Sequence, residues 1–297
     1  MAEPLIERII RRQAWMEGVG GGLQNGIGAF YRVLGRPGQA LKNLMHGTWL
    51  GHPLHPAITD VPMGAWLVGV VADYAALISS RVPTEVGNLA LGVGILGAVL
   101  AAATGYTDFH ETFGQERRYA LAHGLLMTMA LVFDVVSIAL RTWAGGGAHG
   151  LAVGLATAGF LVAAGSAWLG GHLVFGLGTM VNRSAFLEGG PEDFVPVGSS
   201  EDFAEGRMRA VDAGGMSVLM LRRRGRLCAI SDVCSHAGGP LHEGEFDGAV
   251  VTCPWHQSRF RVSDGRVVGG PATFDQPALT VREQSGSVEV KLEHPLH

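Results

Sequence analysis

Four long apolar runs occupy most of the first part of the chain. Each approaches the ~20 residues that a helix needs to cross a bilayer. They span residues 57–79, 88–106, 120–141 and 149–170. The second and fourth runs contain no charged residue, whereas Asp60 and Asp73 lie in the first and Asp134 lies in the third. Four consecutive runs of this length predict a bundle of four transmembrane helices within residues 48–180.

The pattern changes after a linker that we place at residues 181–193. Short runs of apolar and β-branched residues follow, such as SVLMLRR and RLCAIS, and glycine or aspartate turns separate them. This pattern is typical of an all-β domain, which we predict over residues 194–297. The predicted fold class is therefore multi-domain, with an α-helical four-span transmembrane bundle followed by an all-β domain.

The N-terminal residues 4–16, PLIERIIRRQAWM, predict an amphipathic helix. Leucine, isoleucine and methionine share one face, and Arg8, Arg11 and Arg12 fall mainly on the other. Such a helix suits the headgroup region of a membrane, and packing of its apolar face on the protein itself is the alternative. The glycine-rich GVGGGLQNGIG that follows predicts a flexible connection. Residues 1–47 are therefore expected to form an amphipathic segment and a linker.

Two His-Pro pairs precede the first apolar run, in GHPLHPAITD. Proline fixes its own φ and biases the residue before it away from the helical region. We therefore expect His52 and His55 on an irregular segment, with the helix starting near Pro56 or Ala57.

Composition supports a membrane domain and excludes one class of partner. Only 16% of the residues are charged, and 45 residues are glycine. Glycine is common in transmembrane helices because small residues let the helix backbones approach closely. The glycine-rich helix faces are also candidate contacts between copies of the chain in an oligomer. With 22 basic and 26 acidic residues the net charge is −4, and we expect no nucleic-acid partner.

The distribution of Lys and Arg around the runs predicts the orientation in the membrane. One side holds Arg32, Arg36 and Lys42 before the first run, Arg117 and Arg118 after the second, and Arg183 after the fourth. The other side holds only Arg81 and Arg141. We therefore expect the lipid bilayer as a partner, with both termini and the β domain on the cytoplasmic side of a bacterial cytoplasmic membrane.

The β domain contains two short segments with metal-ligand spacing, CSHAGGPLHEG from Cys234 and CPWHQSRF from Cys253. The pattern is Cys-x-His, sixteen residues, and then Cys-x-x-His. Two thiolates and two imidazoles could hold a tetrahedral zinc ion. Zinc sites of this mixed type usually take both cysteines from one segment and both histidines from another, whereas each segment here supplies one of each. The pattern better suits a two-iron cluster, in which one iron binds both thiolates and the other binds both imidazoles.

From Phe194 to Lys291 the sequence resembles the Rieske family. The resemblance rests on both ligand segments, on the Gly-Gly-Pro-Leu that follows the first, on Phe260, and on the GGPA near Gly270. It implies a [2Fe-2S] cluster. By this resemblance, the iron ligands are Cys234 and Cys253 on one iron, and His236 and His256, through Nδ1, on the other.

Departures from one Rieske subtype indicate another. Rieske proteins of the cytochrome bc complexes carry an additional Cys in each ligand segment, and the matching positions here are Gly239 and Trp255. They also carry a tyrosine that donates a hydrogen bond to the cluster, where this chain has Phe260. Ser258 fits the serine whose hydroxyl bonds a bridging sulfide. Fewer donors stabilise the reduced cluster less, so we expect a potential in the lower half of the range of about −150 to +300 mV, as in Rieske ferredoxins.

The resemblance implies an electron carrier. Rieske oxygenases add a catalytic domain with a mononuclear iron, and the chain after His256 reaches only residue 297, so we expect no such domain and leave open whether the protein is itself an enzyme. We predict a membrane-anchored protein that passes single electrons between a soluble donor and a membrane acceptor, which is a quinone, a haem or a partner oxidoreductase. The alternative is a redox sensor or regulatory membrane protein that uses the same cluster.

Residues 48–178 resemble a family of uncharacterised four-span bacterial membrane proteins, DUF2231, marked by the HPLHP segment. The predicted topology brings four histidines to the cytoplasmic side of the bundle, namely His52, His55, His123 and His172. They either cap helix ends and lie at the interface, or hold a haem b, or form a site for another metal or a quinone head group. Asp73 and Asp134 lie deeper, where carboxylates serve in proton relays or pair inside the bundle.

Overall fold

The computed structural model describes residues 5–143, 148–187 and 189–292. Residue 4 of the predicted amphipathic helix and residues 293–297 of the predicted β domain lie outside them. The chain divides into two compact units. One comprises residues 1–41 and 54–179, and the other comprises residues 42–53 and 180–297.

The first unit is helical. Its helices are α1 Leu5–Arg11, α2 Trp15–Val33, α3 Gly35–His46 (whose last residues belong to the second unit), α4 Leu54–Ile58, α5 Asp60–Ile78, α6 Thr84–Phe109, α7 Gly114–Trp143 and α8 His149–Phe175. Helices α5 to α8 form a bundle in which α5 packs on α6 and α8, and α7 packs on α6 and α8.

Among the described residues, four segments are long and apolar enough to cross a membrane. They are Leu54–Ile78, which combines α4 and α5, then Thr84–Phe109, Gly114–Trp143 and His149–Phe175. Each contains most of one predicted apolar run. The predicted four-span helical bundle is therefore confirmed as a fold.

The glycine-rich stretch before the bundle is helical, so the prediction of a flexible connection is wrong. Its glycines lie in α2, and two of them are buried against the bundle. A Cβ at Gly28 would lie 2.6 Å from Nε2 of His110, and one at Gly20 would lie 3.3 Å from Cδ of Arg117. Packing on the bundle at Gly20 and Gly28 therefore offsets the low helix propensity of glycine in this segment.

The amphipathic segment packs on the protein itself, which was one of the two alternatives. Ile10 and Met16 are buried in an apolar cluster with Phe109 and Tyr119 of the bundle. In addition, Glu17 of α2 accepts hydrogen bonds from Arg117 and from Arg118 of α7.

The HPLHP segment is partly helical, in contrast to the prediction. Helix α4 begins at Leu54, so that His55 and Pro56 lie in its first turn, while His52 precedes it. Proline fits the first turn of a helix because the N–H groups there have no partner within the helix. This turn therefore accepts Pro56 without losing a hydrogen bond.

The two deep carboxyl groups have different surroundings. Asp73 forms a two-fold hydrogen-bonded ion pair with Arg141, whose Nη1 and Nη2 lie 2.7 and 2.5 Å from the two carboxylate oxygens. Arg141 also donates to Oδ1 of Asn88, at 3.0 Å. Asp134 is fully buried, and neither of its oxygens has a hydrogen-bond partner among the described residues. A Cβ at Gly159 would lie 3.2 Å from both of these oxygens.

The second unit contains two antiparallel sheets. The strands are β1 Val195–Ser199, β2 Met208–Ala213, β3 Met216–Arg223, β4 Arg226–Ser231, β5 Glu245–Phe246, β6 Val250–Thr252, β7 Arg259–Arg261, β8 Val267–Gly269, β9 Ala278–Gln284 and β10 Ser287–Leu292. The larger sheet has the order β1-β10-β9-β4-β3-β2, and the smaller has the order β5-β6-β7-β8. The predicted all-β domain is therefore confirmed.

Residues 42–53 belong to the β unit, although they precede the first span in sequence. The backbone N–H of Gly270 donates to Oδ1 of Asn43, at 3.2 Å. His46 is fully buried, and a Cβ at position 270 would lie 2.9 Å from its Cδ2. This segment therefore packs on the loop that follows β8, a long-range contact that the sequence does not indicate.

The contribution of the ion pair between Asp73 and Arg141 to the stability of the bundle can be tested by substitution. Arg141→Met leaves a carboxylate buried without its guanidinium, since both side chains are at most 2% exposed. We expect the free energy of unfolding in detergent micelles to fall by about 3–5 kcal/mol. The double variant Asp73→Asn with Arg141→Met should recover most of this loss. Arg81→Met, at an exposed arginine, is the control. Equal stability of Arg141→Met and Arg81→Met would show that the ion pair contributes nothing.

Candidate metal centre

The first ligand segment is a tight loop between β4 and β5. The N–H of Cys234 donates to the carbonyl of Gly239 at 2.9 Å, and the N–H of Gly238 donates back to the carbonyl of Cys234 at 2.8 Å. Gly238 has a φ of +82°, which favours glycine. These bonds close the loop on itself and fix Cys234 and His236 within it.

The second ligand segment connects β6 to β7 in the smaller sheet. The N–H of Cys253 donates to the carbonyl of Ser258 at 2.8 Å, and the N–H of Gln257 donates to the carbonyl of Cys253 at 3.1 Å. This short hairpin therefore fixes Cys253 and His256, just as the first loop fixes Cys234 and His236.

The structure brings the four predicted ligand residues together as two pairs. Cys234 and Cys253 are at most 2% exposed, and their side chains are hydrogen-bonded to each other. The rings of His236 and His256 have centres 4.8 Å apart and lie at 77° to one another. A pair of thiols beside a pair of imidazoles matches the donor set of a Rieske cluster, in which each iron takes one kind of ligand.

Backbone N–H groups surround the two sulfur atoms. The N–H groups of His236 and Ala237 bond the sulfur of Cys234, and those of Trp255 and His256 bond the sulfur of Cys253. The hydrogen bond from Cys234, helped by the two N–H donors and opposed by burial, lowers the pKa of Cys253 to about 7. The same contact with Cys253, together with burial, raises the pKa of Cys234. The site therefore stabilises negative charge on sulfur, which is the form that binds iron.

The ligand pattern of the sequence identifies the side chains that hold iron but not these N–H donors. They follow each cysteine by two or three positions, and the tight loops turn them back toward the sulfur. The sequence signal for the first turn is the Gly238-Gly239 pair, since a bond from Gly238 N–H to the carbonyl of Cys234 and the positive φ of Gly238 form it.

Gly239 lies where a side chain would disturb the sulfurs. A Cβ there would lie 2.8 Å from Sγ of Cys253 and 3.0 Å from the ring of Trp255. Trp255 itself is half exposed beside His256. Cytochrome bc Rieske proteins carry the additional cysteines at these two positions. In this chain Gly239 leaves no room for a side chain, and Trp255 carries an exposed ring.

A third loop, after β8, holds the two ligand loops together. The N–H of Ala272 donates to Oγ of the fully buried Ser258 at 3.0 Å, and Oγ of Ser235 donates to the carbonyl of Phe274 at 2.7 Å. Because Ser258 accepts the bond from Ala272, its own hydroxyl hydrogen is available to another acceptor. The hydroxyl can therefore donate to a cluster sulfide, and the expected hydrogen bond from Ser258 stays a prediction.

Asp232 fixes the base of the first loop, a role that no sequence pattern indicates. The buried carboxylate accepts from the backbone N–H of His242 at 2.8 Å and lies 2.7 Å from Nδ1 of the same residue. The carbonyl of Asp232 also accepts from the N–H of Leu241. These bonds tie the two ends of the loop that carries Cys234.

Among the residues that the structure describes, no three of the histidines predicted for the membrane domain form a group that could hold one metal ion. His52 belongs to the β unit, where its ring centre lies 6.4 Å from that of Phe274. His172 stacks on Tyr119 and on Trp168, with centres 4.7 and 5.6 Å apart. His55 and His123 do approach each other, and their ring centres are 6.4 Å apart.

Comparison with known proteins identifies both parts of the chain. Residues 193–280 match the Rieske [2Fe-2S] domain family, and residues 51–183 match the family described as predicted membrane protein (DUF2231).

Three similar proteins are ferredoxins by name. The ferredoxin component of the naphthalene 1,2-dioxygenase/salicylate 5-hydroxylase systems of Ralstonia sp is 26% identical, over 34% of this chain and 98% of that protein. Ferredoxin CarAc of Metapseudomonas resinovorans is 32% identical, over 33% of this chain and 92% of that protein. The ferredoxin component of biphenyl 2,3-dioxygenase of Rhodococcus jostii (strain RHA1) is 34% identical, over 32% of this chain and 89% of that protein.

A solved structure is also similar. The ferredoxin of carbazole 1,9a-dioxygenase from Nocardioides aromaticivorans IC177 is 28% identical and matches 34% of this chain and 98% of its own chain, with a TM-score of 0.33. Residues 51–183 are similar to the DUF2231 family of predicted membrane proteins. From the family match and the ferredoxin relatives together, this chain belongs to the Rieske [2Fe-2S] family.

Proposed function

We propose that this protein is a membrane-anchored electron carrier, which passes single electrons between a soluble donor and an acceptor in the membrane. The observation that carries the proposal is the pairing of two buried thiols and two adjacent imidazoles. The described part of the same chain also contains four helices of membrane-spanning length. The Rieske cluster supplies one-electron oxidation and reduction when it is bound.

We assign the iron ligands to the two pairs. Cys234 and Cys253 hold one iron, and His236 and His256 hold the other. The burial of both thiols and the N–H groups directed at them favour charge on sulfur and exclude water. Beside the imidazoles, the half-exposed ring of Trp255 offers an apolar surface to a redox partner.

The names of the relatives suggest the class of partner. They are ferredoxin components of dioxygenase systems, so an oxidoreductase is the partner class that we infer for the soluble side. The four apolar helices support an acceptor of a different kind, such as a quinone or a membrane oxidoreductase, because electrons delivered beside a bilayer are available to lipid-soluble carriers.

The ligand assignment predicts the loss of one spectroscopic signal. Cys234→Ser or His256→Ala should abolish the rhombic Rieske EPR signal of the reduced protein, because each removes one iron ligand. Cys228→Ser, at the half-buried free cysteine of β4, should retain the signal. Circular dichroism of all three variants checks that they fold. An unchanged signal in a folded Cys234→Ser or His256→Ala protein would contradict the assignment.

The substitution Ser258→Ala tests whether the serine hydroxyl donates a hydrogen bond to the cluster. Loss of the hydroxyl removes one donor that stabilises the reduced state, so the reduction potential should fall by roughly 60 mV, equivalent to about 1.4 kcal/mol for one electron. Ser263→Ala, at an exposed serine, should leave the potential unchanged. Potentiometric titration followed by EPR measures both. The same potential in Ser258→Ala, with a full Rieske signal, would exclude this role.

The orientation predicted from Lys and Arg has its own test. Ser263→Cys places a thiol on the exposed surface of the Rieske domain, and Ser80→Cys places one in the exposed loop between α5 and α6. In intact cells an impermeant maleimide should label the cysteine at position 80, and should label that at position 263 only after the membrane is permeabilised. The unsubstituted protein gives the background. The opposite pattern would place the Rieske domain outside the cytoplasm.

A further inference from the structure

We infer that His55 and His123 bind a transition-metal centre within the helical unit, through the Nε2 atoms of both rings. This inference rests on the proposed function and deepens it, because such a centre would be the membrane acceptor of the electrons. His55 lies in α4 and His123 lies in α7, and their ring centres are 6.4 Å apart at an angle of 77°. Two helices distant in sequence thus bring two imidazoles together.

Hydrogen bonds fix the tautomer of His55. Its Nδ1 lies 2.9 Å from the carbonyl oxygen of Ala101, which can only accept. Thr104 also lies near Nδ1, at 3.4 Å, but its hydroxyl has carbonyl acceptors at Leu100 and Ala101. Nδ1 therefore carries the hydrogen, and Nε2 of the neutral ring keeps its lone pair.

The same arrangement recurs at His123. Nδ1 lies 2.9 Å from the carbonyl oxygen of Ser166, and Oγ of Ser166 lies 2.9 Å from the same nitrogen and donates to the carbonyl of His123. Nε2 of this ring likewise keeps its lone pair. Within the part of the chain that the structure describes, neither Nε2 atom makes a hydrogen bond.

Histidines that bind metals have this pattern. A metal-binding imidazole almost always donates its other N–H to a carbonyl or carboxylate, which sets the ring orientation and raises the basicity of the ligating nitrogen. At His55 and His123 both partners are backbone carbonyls of neighbouring helices, α6 and α8. Both rings are therefore held in the tautomer that metal coordination requires.

Glycines bring the two rings close to the neighbouring helices. A Cβ at Gly105 would lie 2.8 Å from Cε1 of His55, and one at Gly170 would lie 3.2 Å from Cε1 of His123. Any other residue at position 105 would displace the ring of His55. These two glycines therefore belong to the site, although neither carries a ligand.

The separation and the number of ligands indicate the class of metal centre. Two imidazoles on opposite sides of one metal, at a metal–nitrogen distance of about 2 Å, would have ring centres roughly 6 Å apart, and the centres of this pair are 6.4 Å apart. Among the described residues no group of three or more His, Cys, Asp or Glu side chains could hold one ion. Haem iron requires only two axial ligands from the protein, because the macrocycle supplies the other four. Apolar helices suit its ring, so haem is the favoured form and a bare metal ion is the other source of the same chemistry.

The test uses the full-length protein in detergent micelles, with its Rieske EPR signal recorded first. Elemental analysis and a pyridine haemochrome assay give the metals present after purification, and titration with haemin follows the Soret band. We expect one haem per chain with a low-spin spectrum of two imidazole ligands. His55→Ala and His123→Ala should weaken haemin binding by more than about tenfold.

Two further variants separate ligation from folding. His172→Ala, at the histidine stacked on Tyr119 and Trp168, is the matched control and should bind haemin as the unsubstituted protein does. His123→Met should still bind haem, with a spectrum of one imidazole and one thioether ligand. A different result is that the unsubstituted protein contains one non-haem metal ion per chain, which both alanine variants lack. That result would support the two-histidine site and would identify its occupant as a bare metal ion.

The inference is overturned if the protein has no haem and no metal beyond two irons per chain and does not bind haemin, or if His172→Ala loses binding as the other two variants do. Failure of the proposed function is a separate result. It would appear as a missing Rieske signal in the unsubstituted protein, whatever its haem content.

Discussion

Hydrogen bonds with the backbone hold the two cysteines of the Rieske site and the two histidines of the inferred second site. In the β domain the N–H groups of two tight loops point at the sulfurs of Cys234 and Cys253. In the helical unit two carbonyl groups accept from Nδ1 of His55 and His123. The direction of the bonds differs because the ligands differ. A sulfur that must carry negative charge needs donors, whereas an imidazole that must offer a lone pair needs an acceptor at its other nitrogen.

The ligand loops of the β domain could be predicted from the sequence because each is a local structure. The bonds that close them join residues at most five positions apart, such as Cys234 with Gly239 and Cys253 with Ser258. Spacing alone therefore determines which side chains meet. What the sequence could not indicate are the contacts that support the loops from a distance, such as Asp232 beside His242 and the bond from Ala272 to Ser258.

The helical unit shows where local signals fail. Four spans follow from hydrophobicity, since each run exceeds what a soluble helix needs. The glycines of α2 predict flexibility by propensity, yet they are helical in a segment that buries Gly20 and Gly28 against the bundle. Residues 42–47 belong to a predicted linker, but Asn43 bonds to Gly270 more than two hundred residues away. In both cases a tertiary contact determines the local conformation.

Helix α7 supplies most of the polar contacts inside the bundle. Four of its polar residues, His123, Asp134, Ser137 and Arg141, are separated by 11, 3 and 4 positions, spacings that keep them on one face of a helix. Three of them reach other helices by hydrogen bonds, to Ser166, to Ala152 and to Asp73. A helix in lipid has no water to satisfy such groups, so a stripe of polar residues must face its neighbours. Asp134 lies on the same stripe, which explains why it is buried in the bundle although it has no hydrogen-bond partner among the described residues.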